Sequence, residues 1–371
     1  MRILMAGGGT GGHLYPGIAV ARELVRRDPS REVSFVGTAD GIEARVVPRE
    51  GFELDLIRVA GLKGKSRGAL LRGLWLLPRA ALDAWRVISR RRPAVVVGVG
   101  GFASGPVLLL AAWRGIPTLL LEQNAMPGIT NRLLARWVRA AAVNFEEALG
   151  YFPRVGFVAG NPVRPEFLAG SGEAHAQRDS PLDAARVLIF GGSQGAHAIN
   201  VAMVEAASRL VAAGVGVAIT HQTGERDLDL VRDAYRRAGL EARVEAFLYE
   251  IDREMSAADL VVCRAGATTL AEIAALGRPA VLVPLPTATD DHQRRNAEVL
   301  VSKGAAVVIE QRDLTGERLA TTLLELARDG DRRARMAEAA RALARPHAAA
   351  AIADRIEALA GMRTDGETKV Q

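Results

Sequence analysis

Residues 7–13 read GGGTGGH and follow directly on the short apolar run RILMA. Glycine lets the backbone take positive φ and approach another group with no Cβ in the way. Set between a strand and a helix, such a turn aims amide N–H groups and the positive end of the helix dipole at an anion. A second unit of the same kind, ARVLIFGGSQGAHAIN, begins at Ala185. Both turns suit the holding of phosphates; the plainer alternative is a tight turn that only lets helix and strand pack closely. A third stretch, CRAGATTLAEIAALGRPAVLVP (263–284), adds a carboxylate. Gly266 opens a helix of small and hydroxyl residues, and Glu272 stands a turn and a half along it. There a carboxylate can accept from two adjacent ribose hydroxyls while the first amides take a diphosphate. The plainer alternative is an exposed helix acid.

Other phosphate chemistries fit less well. Gly7, Gly9 and Gly12 satisfy G-x-G-x-x-G, but a dinucleotide site wants an acid at the end of the second strand. SFVGTAD offers Gly37 and Thr38 there, with Asp40 late. A P-loop around GKS (64–66) needs glycine at position 59, which is Val59. DLD (227–229) and DGD (329–331) fall in charge-rich helical stretches, and Asp290, Asp291 and His292, which could make an O/N site for a divalent ion, read better as a helical charge face. No metal and no cofactor is expected.

The elements that must position these groups alternate throughout. Strand-length runs (RILMAG, EVSFVG, AVVVGVG, PTLLLEQ, AAVNF, then RVLIFGG, GVAITHQTG, RVEAFL, DLVVCRAG, PAVLVP, AAVVIE) are separated by helical patterns. Near-continuous Val, Ile and Leu mean strands buried on both faces, joined by parallel crossovers. The fold class is α/β: two Rossmann-like, doubly wound parallel-sheet domains facing a cleft. At 371 residues the chain has room for both. The boundaries expected are 1–161, 162–361 with terminal helices able to pack back on the first domain, and a disordered tail 362–371. The alanine-rich end reads as a helix pair broken at Pro346.

One cysteine, Cys263, excludes an intramolecular disulfide and a multi-cysteine zinc site, and its setting DLVVCRAG reads as core. The glycine turn cuts the first apolar run too early for a secretory core, so no signal peptide is expected. The uncharged stretch 94–113 nears membrane-spanning length, but Gly98, Gly100, Gly101, Gly105 and Pro106 break it into strand, loop and helix. Charge is uneven: residues 61–92 hold nine Lys or Arg against one acid, Asp83, in a chain of net charge +6. The basic character is therefore a patch. Leu71, Trp75, Leu82 and Trp85 can share one helix face there if Pro78 is a kink or a helix start, flanked by Arg72 and Arg79. The patch is either a core-facing helix with a solvated side or a contact with an anionic membrane surface. No recognised motif or stacking aromatics accompany it, so no nucleic acid is expected as a partner.

Six motifs in order, GGTGGH, EQNAMPGITNR, GNPVR, GGSQGA, CRAGATTLAE and DHQRRNA, resemble the MurG-type family. These are the UDP-GlcNAc-dependent transferases, of GT-B architecture, that complete lipid II in bacterial peptidoglycan synthesis. The resemblance runs from Met1 to about Gly361. It implies an inverting transfer of GlcNAc from UDP-GlcNAc to the muramyl 4-hydroxyl of lipid I, at the cytoplasmic face of the plasma membrane. The protein would be peripheral there, among other cell-wall synthesis or division proteins. By resemblance Ser193 binds the donor diphosphate with Arg164 close to it, and the main chain at Leu248 meets uracil. Ala267, Thr268, Thr269, Leu270, Ala271 and Glu272 run under phosphates and ribose, with Glu272 on the ribose hydroxyls, and Gln293 holds sugar hydroxyls. His292 stands where some members carry a second glutamine. Thr10, Gly11 and Gly12 match positions near the donor sugar, and their loop suits the acceptor diphosphate.

The displacement needs a base. His13, an imidazole beside the glycine loop, titrates in the useful range, although it could instead bond a phosphate or cap a helix. Glu122 is the other candidate, while Asn124 orients donor sugar or acceptor. A nonhydrolysing UDP-GlcNAc 2-epimerase of the same fold is the alternative activity.

Overall fold

The computed structural model describes residues 1–59, 67–169, 184–192, 194–214 and 216–367. The chain divides into two compact units: Met1–Arg164 together with the stretch from Arg345 onward, and Pro165–Ala344.

The first unit has seven strands: β1 (Arg2–Gly7), β2 (Glu32–Gly37), β3 (Glu53–Leu56), β4 (Val95–Gly100), β5 (Thr118–Glu122), β6 (Ala140–Val143) and β7 (Gly156–Val158). They lie in the order β3-β2-β1-β4-β5-β6-β7, and every neighbouring pair is parallel. Its helices are α1 (Gly11–Arg27), α2 (Glu43–Arg49), α3 (Arg67–Arg91), α4 (Ser104–Trp113), α5 (Ile129–Leu134) and, from the far end of the chain, α14 (Ala348–Glu367). Strand β4, VVVGVG, is buried at every position, as a central strand covered on both faces must be. In α1, Leu14, Ile18, Ala21 and Leu24 recur at helical spacing and all face the core.

The second unit repeats the plan with β8 (Ala184–Phe190), β9 (Gly216–Gln222), β10 (Ala242–Glu245), β11 (Leu260–Cys263), β12 (Ala280–Leu282) and β13 (Ala306–Val308). The order is β10-β9-β8-β11-β12-β13, again all parallel. Its helices are α6 (Pro165–Ala169), α7 (His197–Ala212), α8 (Leu228–Ala238), α9 (Ile251–Ala257), α10 (Ala267–Leu276), α11 (His292–Ser302), α12 (Gly316–Arg328) and α13 (Gly330–Ala342). In each sheet the chain winds outward one way, then returns to start again beside its first strand. Loops leaving β1 and β4, and likewise β8 and β11, therefore diverge at a switch point where α/β sheets bind ligands.

Several expectations change. β3 (ELDL) and β7 (GFV) are strands at the sheet edges, too short or too exposed to show a buried apolar run. The change of unit falls after Arg164, and residues from Arg345 return to the first unit. Ile352, Ala353, Ile356 and Leu359 of α14 join Ile3, Met5 and Leu14 in one core. Arg27 pairs with Asp354 at 2.6 Å and Arg31 with Glu357. α14 also runs to Glu367, past the expected end of order at 361. Pro346 does separate α13 from α14, as expected. Pro78 lies inside α3 rather than at its start. Residues 94–113 resolve into β4 and α4, and no helix among the described residues is long and apolar enough to cross a membrane.

Candidate active site

At the switch point of the first sheet, the turns after β1 and β4 interlock. Gly8 N–H donates to the Gly100 carbonyl at 3.0 Å. A Cβ on Gly7 would stand 2.0 Å from that carbonyl, and one on Gly101 2.4 Å from the Gly8 carbonyl. Both glycines also have positive φ, +131° and +81°, so no other residue fits either place without moving backbone. Thr10 precedes α1 with extended dihedrals, and its hydroxyl lies 3.2 Å from His13 Nδ1. The His13 ring rests on Gly100, where a Cβ would come within 2.5 Å of Cδ2. His13, Gly11 and Gly12 thus open α1 at the switch point, and His13 is half-buried.

Glu43, which the sequence reading missed, fills the inner side of the first glycine turn. It is 1% exposed. Its Oε2 accepts from Gly9 N–H at 2.6 Å, and its Oε1 from the Thr38 N–H and hydroxyl at 2.8 Å each. Burial pushes this carboxyl up, but the hydrogen bonds from Gly9 and Thr38 outweigh it and hold the group below its ordinary range. The acid missing from the end of β2 does arrive, from the start of α2, but it is bonded to the protein. The available signal was the run of glycines around it, Gly8, Gly37 and Gly41.

Glu122 is a second buried carboxylate, 3% exposed at the end of β5. Oε1 accepts from Asn124 N–H at 3.0 Å and Asn124 Nδ2 at 3.3 Å. Oε2 accepts from Gly128 N–H at 3.1 Å and Asn131 Nδ2 at 2.8 Å. Burial raises its pKa despite these four bonds. Both oxygens are engaged in shaping the 123–128 turn, which orients Asn124.

In the second unit the turn after β8 meets the end of β9. A Cβ on Gly195 would lie 1.9 Å from the Thr223 carbonyl, and one on Gly224 2.3 Å from the Gln194 carbonyl. Ser193 lies outside the described residues. Beneath the turn runs a chain of polar groups. Asp227 meets His197 Nδ1 at 2.9 Å and accepts from Asn200 Nδ2 at 2.8 Å, and Asn200 also donates to the Thr223 carbonyl. Buried His221 sits between Asn200 Oδ1 and the Tyr235 hydroxyl, and burial drives its pKa down to about 3. Leu248 is buried between exposed Phe247 and Tyr249, whose rings meet edge to face at 5.0 Å.

Gly266 caps α10 in extended conformation. Ala267 and Leu270 are buried, Thr268, Thr269 and Ala271 half-buried, and Glu272 is 5% exposed. Glu272 is therefore no solvated helix acid. Burial, with the Glu272 carboxylate adding to it, holds the Cys263 thiol far above its ordinary value. Gln293 Oε1 accepts from Leu285 N–H at 3.0 Å and Ala265 N–H at 3.3 Å, tying the turns after β12 and β11. His292 Nδ1 donates to the Thr289 carbonyl at 2.6 Å. Asp290 and Asp291 before it both have φ +55°, a strained pair leading into α11. The Arg164 guanidinium stands 5.6 Å from the Tyr15 ring centre, within the first unit. Among the described residues no group of three or more His, Cys, Asp or Glu is arranged to hold a metal.

The basic segment is α3. Arg79, Leu82 and Trp85 are exposed, whereas the side chains of Leu71, Arg72 and Trp75 lie outside the described ones. Arg114 stacks over the Trp85 ring at 4.5 Å, and exposed Trp113 meets exposed Trp137 edge to face at 6.2 Å. Ala80, Ala84, Val87 and Ile88 face the core, so the helix has both a packed face and an apolar outer face.

Residues 3–143 match the glycosyltransferase family 28 N-terminal domain, and 186–356 match the C-terminal domain of the same family. An Anaeromyxobacter dehalogenans UDP-N-acetylglucosamine–N-acetylmuramyl-(pentapeptide) pyrophosphoryl-undecaprenol N-acetylglucosamine transferase is 51% identical over 95% of this chain and 92% of its own length. The Myxococcus xanthus protein of that name is 47% identical over the same shares. The crystal structure of Acinetobacter baumannii MurG superposes with a TM-score of 0.79 at 32% identity, over 96% of this chain and 99% of that one. A Neisseria meningitidis UDP-GlcNAc 2-epimerase bound to UDP-GlcNAc shares the fold at TM-score 0.66 and 14% identity, over 95% and 99%. Both family 28 domains stand in order, and half the residues are shared with these transferases along nearly the whole length. The chain belongs to glycosyltransferase family 28, in its MurG branch.

Proposed function

We propose that this protein transfers GlcNAc from UDP-GlcNAc to the muramyl 4-hydroxyl of lipid I, giving lipid II, with inversion at the anomeric carbon. The observation that carries the reading is 51% identity, over 95% of the chain, to a transferase named for this reaction, with a glycine turn at the switch point of each sheet. The second domain takes the donor: the amides of Ala267, Thr268 and Thr269 face the diphosphate, Glu272 the ribose hydroxyls, and the main chain at Leu248 the uracil. Ser193, His292 and Gln293 complete this set. The first domain takes the acceptor at Thr10, Gly11 and Gly12. Its His13 accepts the proton of the attacking hydroxyl as the bond to the anomeric carbon forms and the bond to UDP breaks. Support for His13 over Glu122 comes from hydrogen bonding, since both Glu122 oxygens already accept two donors each. The positive N-terminus of α10 and the Arg164 guanidinium offset the charge growing on UDP.

The acceptor's lipid brings in the membrane. Exposed Leu82, Trp85, Trp113 and Trp137, with Arg79 and Arg114 beside them, suit an interfacial contact with anionic lipid. In this reading the protein is peripheral, on the cytoplasmic leaflet. UDP release from UDP-GlcNAc, measured with and without a short-chain lipid I analogue, tests the proposal. Acceptor-dependent release supports transfer; release or epimerisation without acceptor supports the 2-epimerase instead.

A further inference from the structure

We propose that Glu43 is a positioning residue for the transfer, holding Gly9 and Thr10, and through them the His13 ring, where the acceptor's proton is taken. The inference rests on the reading of His13 as the base.

Side-chain packing does not hold the tip of the turn. Gly9 sits at its tip with φ +85° and is exposed, and a Cβ there would meet nothing within 4 Å. Packing therefore leaves this residue loose, and glycine has the most backbone freedom to lose. Its N–H is fixed by the Glu43 carboxylate at 2.6 Å. The next residue, Thr10, offers its hydroxyl to His13 Nδ1 at 3.2 Å and its carbonyl to the His13 N–H at 3.2 Å. A displacement of Gly9 is passed to the imidazole through a single residue.

The other end of the carboxylate is anchored just as firmly. Thr38 donates twice to Oε1, so Glu43 ties the end of β2 to the turn after β1. Three glycines leave room for it. A Cβ on Gly8, Gly37 or Gly41 would come within 2.5, 2.4 or 2.1 Å of the Glu43 side chain. An acid needed only to cap α2 would not require that clearance on three sides. An anionic group at this place would also repel a substrate phosphate pressed against it, which suits a carboxylate bonded to the turn rather than to the substrate.

The test compares Glu43→Gln, Gly41→Ala and His13→Ala in the acceptor-dependent assay, with melting temperature followed for each. Glutamine keeps the volume but has an NH2 at one end, so whichever way it turns either the Gly9 N–H or the Thr38 N–H loses its acceptor and the brace between β2 and the turn is cut. Alanine at 41 keeps the charge and pushes Oε2 away from Gly9, and it stands in for Glu43→Gln should that variant not fold. The expected result for both is a fall in kcat of roughly 10- to 100-fold, the size that misplacing a reacting group by about 1 Å produces. The KM for UDP-GlcNAc stays within about twofold, and kcat is counted per molecule that binds UDP-GlcNAc, because a merely structural loss lowers the active fraction at unchanged KM and leaves that normalised kcat where it was. Wild-type kcat in a folded variant, or a loss that simply tracks the unfolded fraction, overturns the inference. His13→Ala separates the two readings. If it is inactive while Glu43→Gln is fully active, the positioning role alone falls; if it is fully active, the base assignment falls and takes the inference with it.

Discussion

Replacing Glu122 with glutamine distinguishes a catalytic carboxylate from a structural one. Glutamine occupies the same volume but presents one acceptor oxygen and one NH2. In the native turn each oxygen accepts two donors, so whichever way the amide is oriented one pair loses its acceptor: Gly128 N–H with Asn131 Nδ2, or Asn124 N–H with its own Nδ2. Each buried donor left without a partner costs about 1–3 kcal/mol, and the side-chain member of the pair can rotate away. The net loss expected is roughly 2–4 kcal/mol, or about 4–16 °C in melting temperature for a domain of this size. If Glu122 shapes the turn, stability falls by that amount and kcat falls modestly with it. If Glu122 were also the base, the same loss of stability would come with a fall in kcat of about 10²- to 10⁴-fold. Urea unfolding beside kcat at saturating substrate reads both quantities. Wild-type stability with a hundredfold loss of kcat would refute the assignment of Glu122 to the turn.

Buried His221 has its pKa depressed to about 3 against an ordinary 6.5, so below pH 6.5 the unfolded chain binds a proton the folded one does not. Stability is therefore full above 6.5 and falls by up to about 1.4 kcal/mol per unit as pH drops toward 3; chemical denaturation of wild type and His221→Gln across that window measures the slope, which glutamine should remove. Glu272→Ala should raise the KM for UDP-GlcNAc about 10- to 100-fold through loss of two ribose hydrogen bonds to a charged group, with a smaller change in kcat, and an unchanged KM would separate Glu272 from the donor. Trp113→Ser with Trp137→Ser should lower binding to phosphatidylglycerol vesicles by roughly tenfold or more, and to neutral vesicles likewise, while added salt weakens only the anionic case; sedimentation with vesicles decides it.

The strands that were legible from residues alone are those buried on both faces, such as VVVGVG and LVVC, because a continuous apolar run leaves few other placements. Edge strands carry no such mark, and ELDL and GFV passed unread. The glycine turns were visible, but their meaning was only half readable. Gly7 and Gly101 make room for a neighbouring turn and Gly8 for Glu43, while Gly9 alone among these is open on its Cβ side. A pattern of glycines does not say whether the space belongs to a ligand or to the protein's own side chain. Glu43 was missed for the same reason, since an acid at the head of a short helix looks like any other until its three donors are seen. Glu122 was visible as a carboxylate in a motif, yet its burial and its four donors come from a turn that folds back on it. Glu272 is the converse: its place on α10 was readable at helical spacing, and the fold adds that it is buried.

The return of α14 to the first unit bears on how the molecule is made. Ile352, Ala353, Ile356 and Leu359 cover the same core as Leu14 and Ile18, and Asp354 and Glu357 hold Arg27 and Arg31 near the end of α1. These partners are separated by more than 300 positions. A nascent chain emerging from the ribosome can assemble the second domain while the first still lacks its closing helix. The domain synthesised first is then the one finished last, and it waits, with an apolar stripe uncovered, until translation has nearly ended. Any product cut short before residue 345 carries that uncovered stripe as a mark for chaperones and proteases, so the fold itself distinguishes a full-length chain from a truncated one.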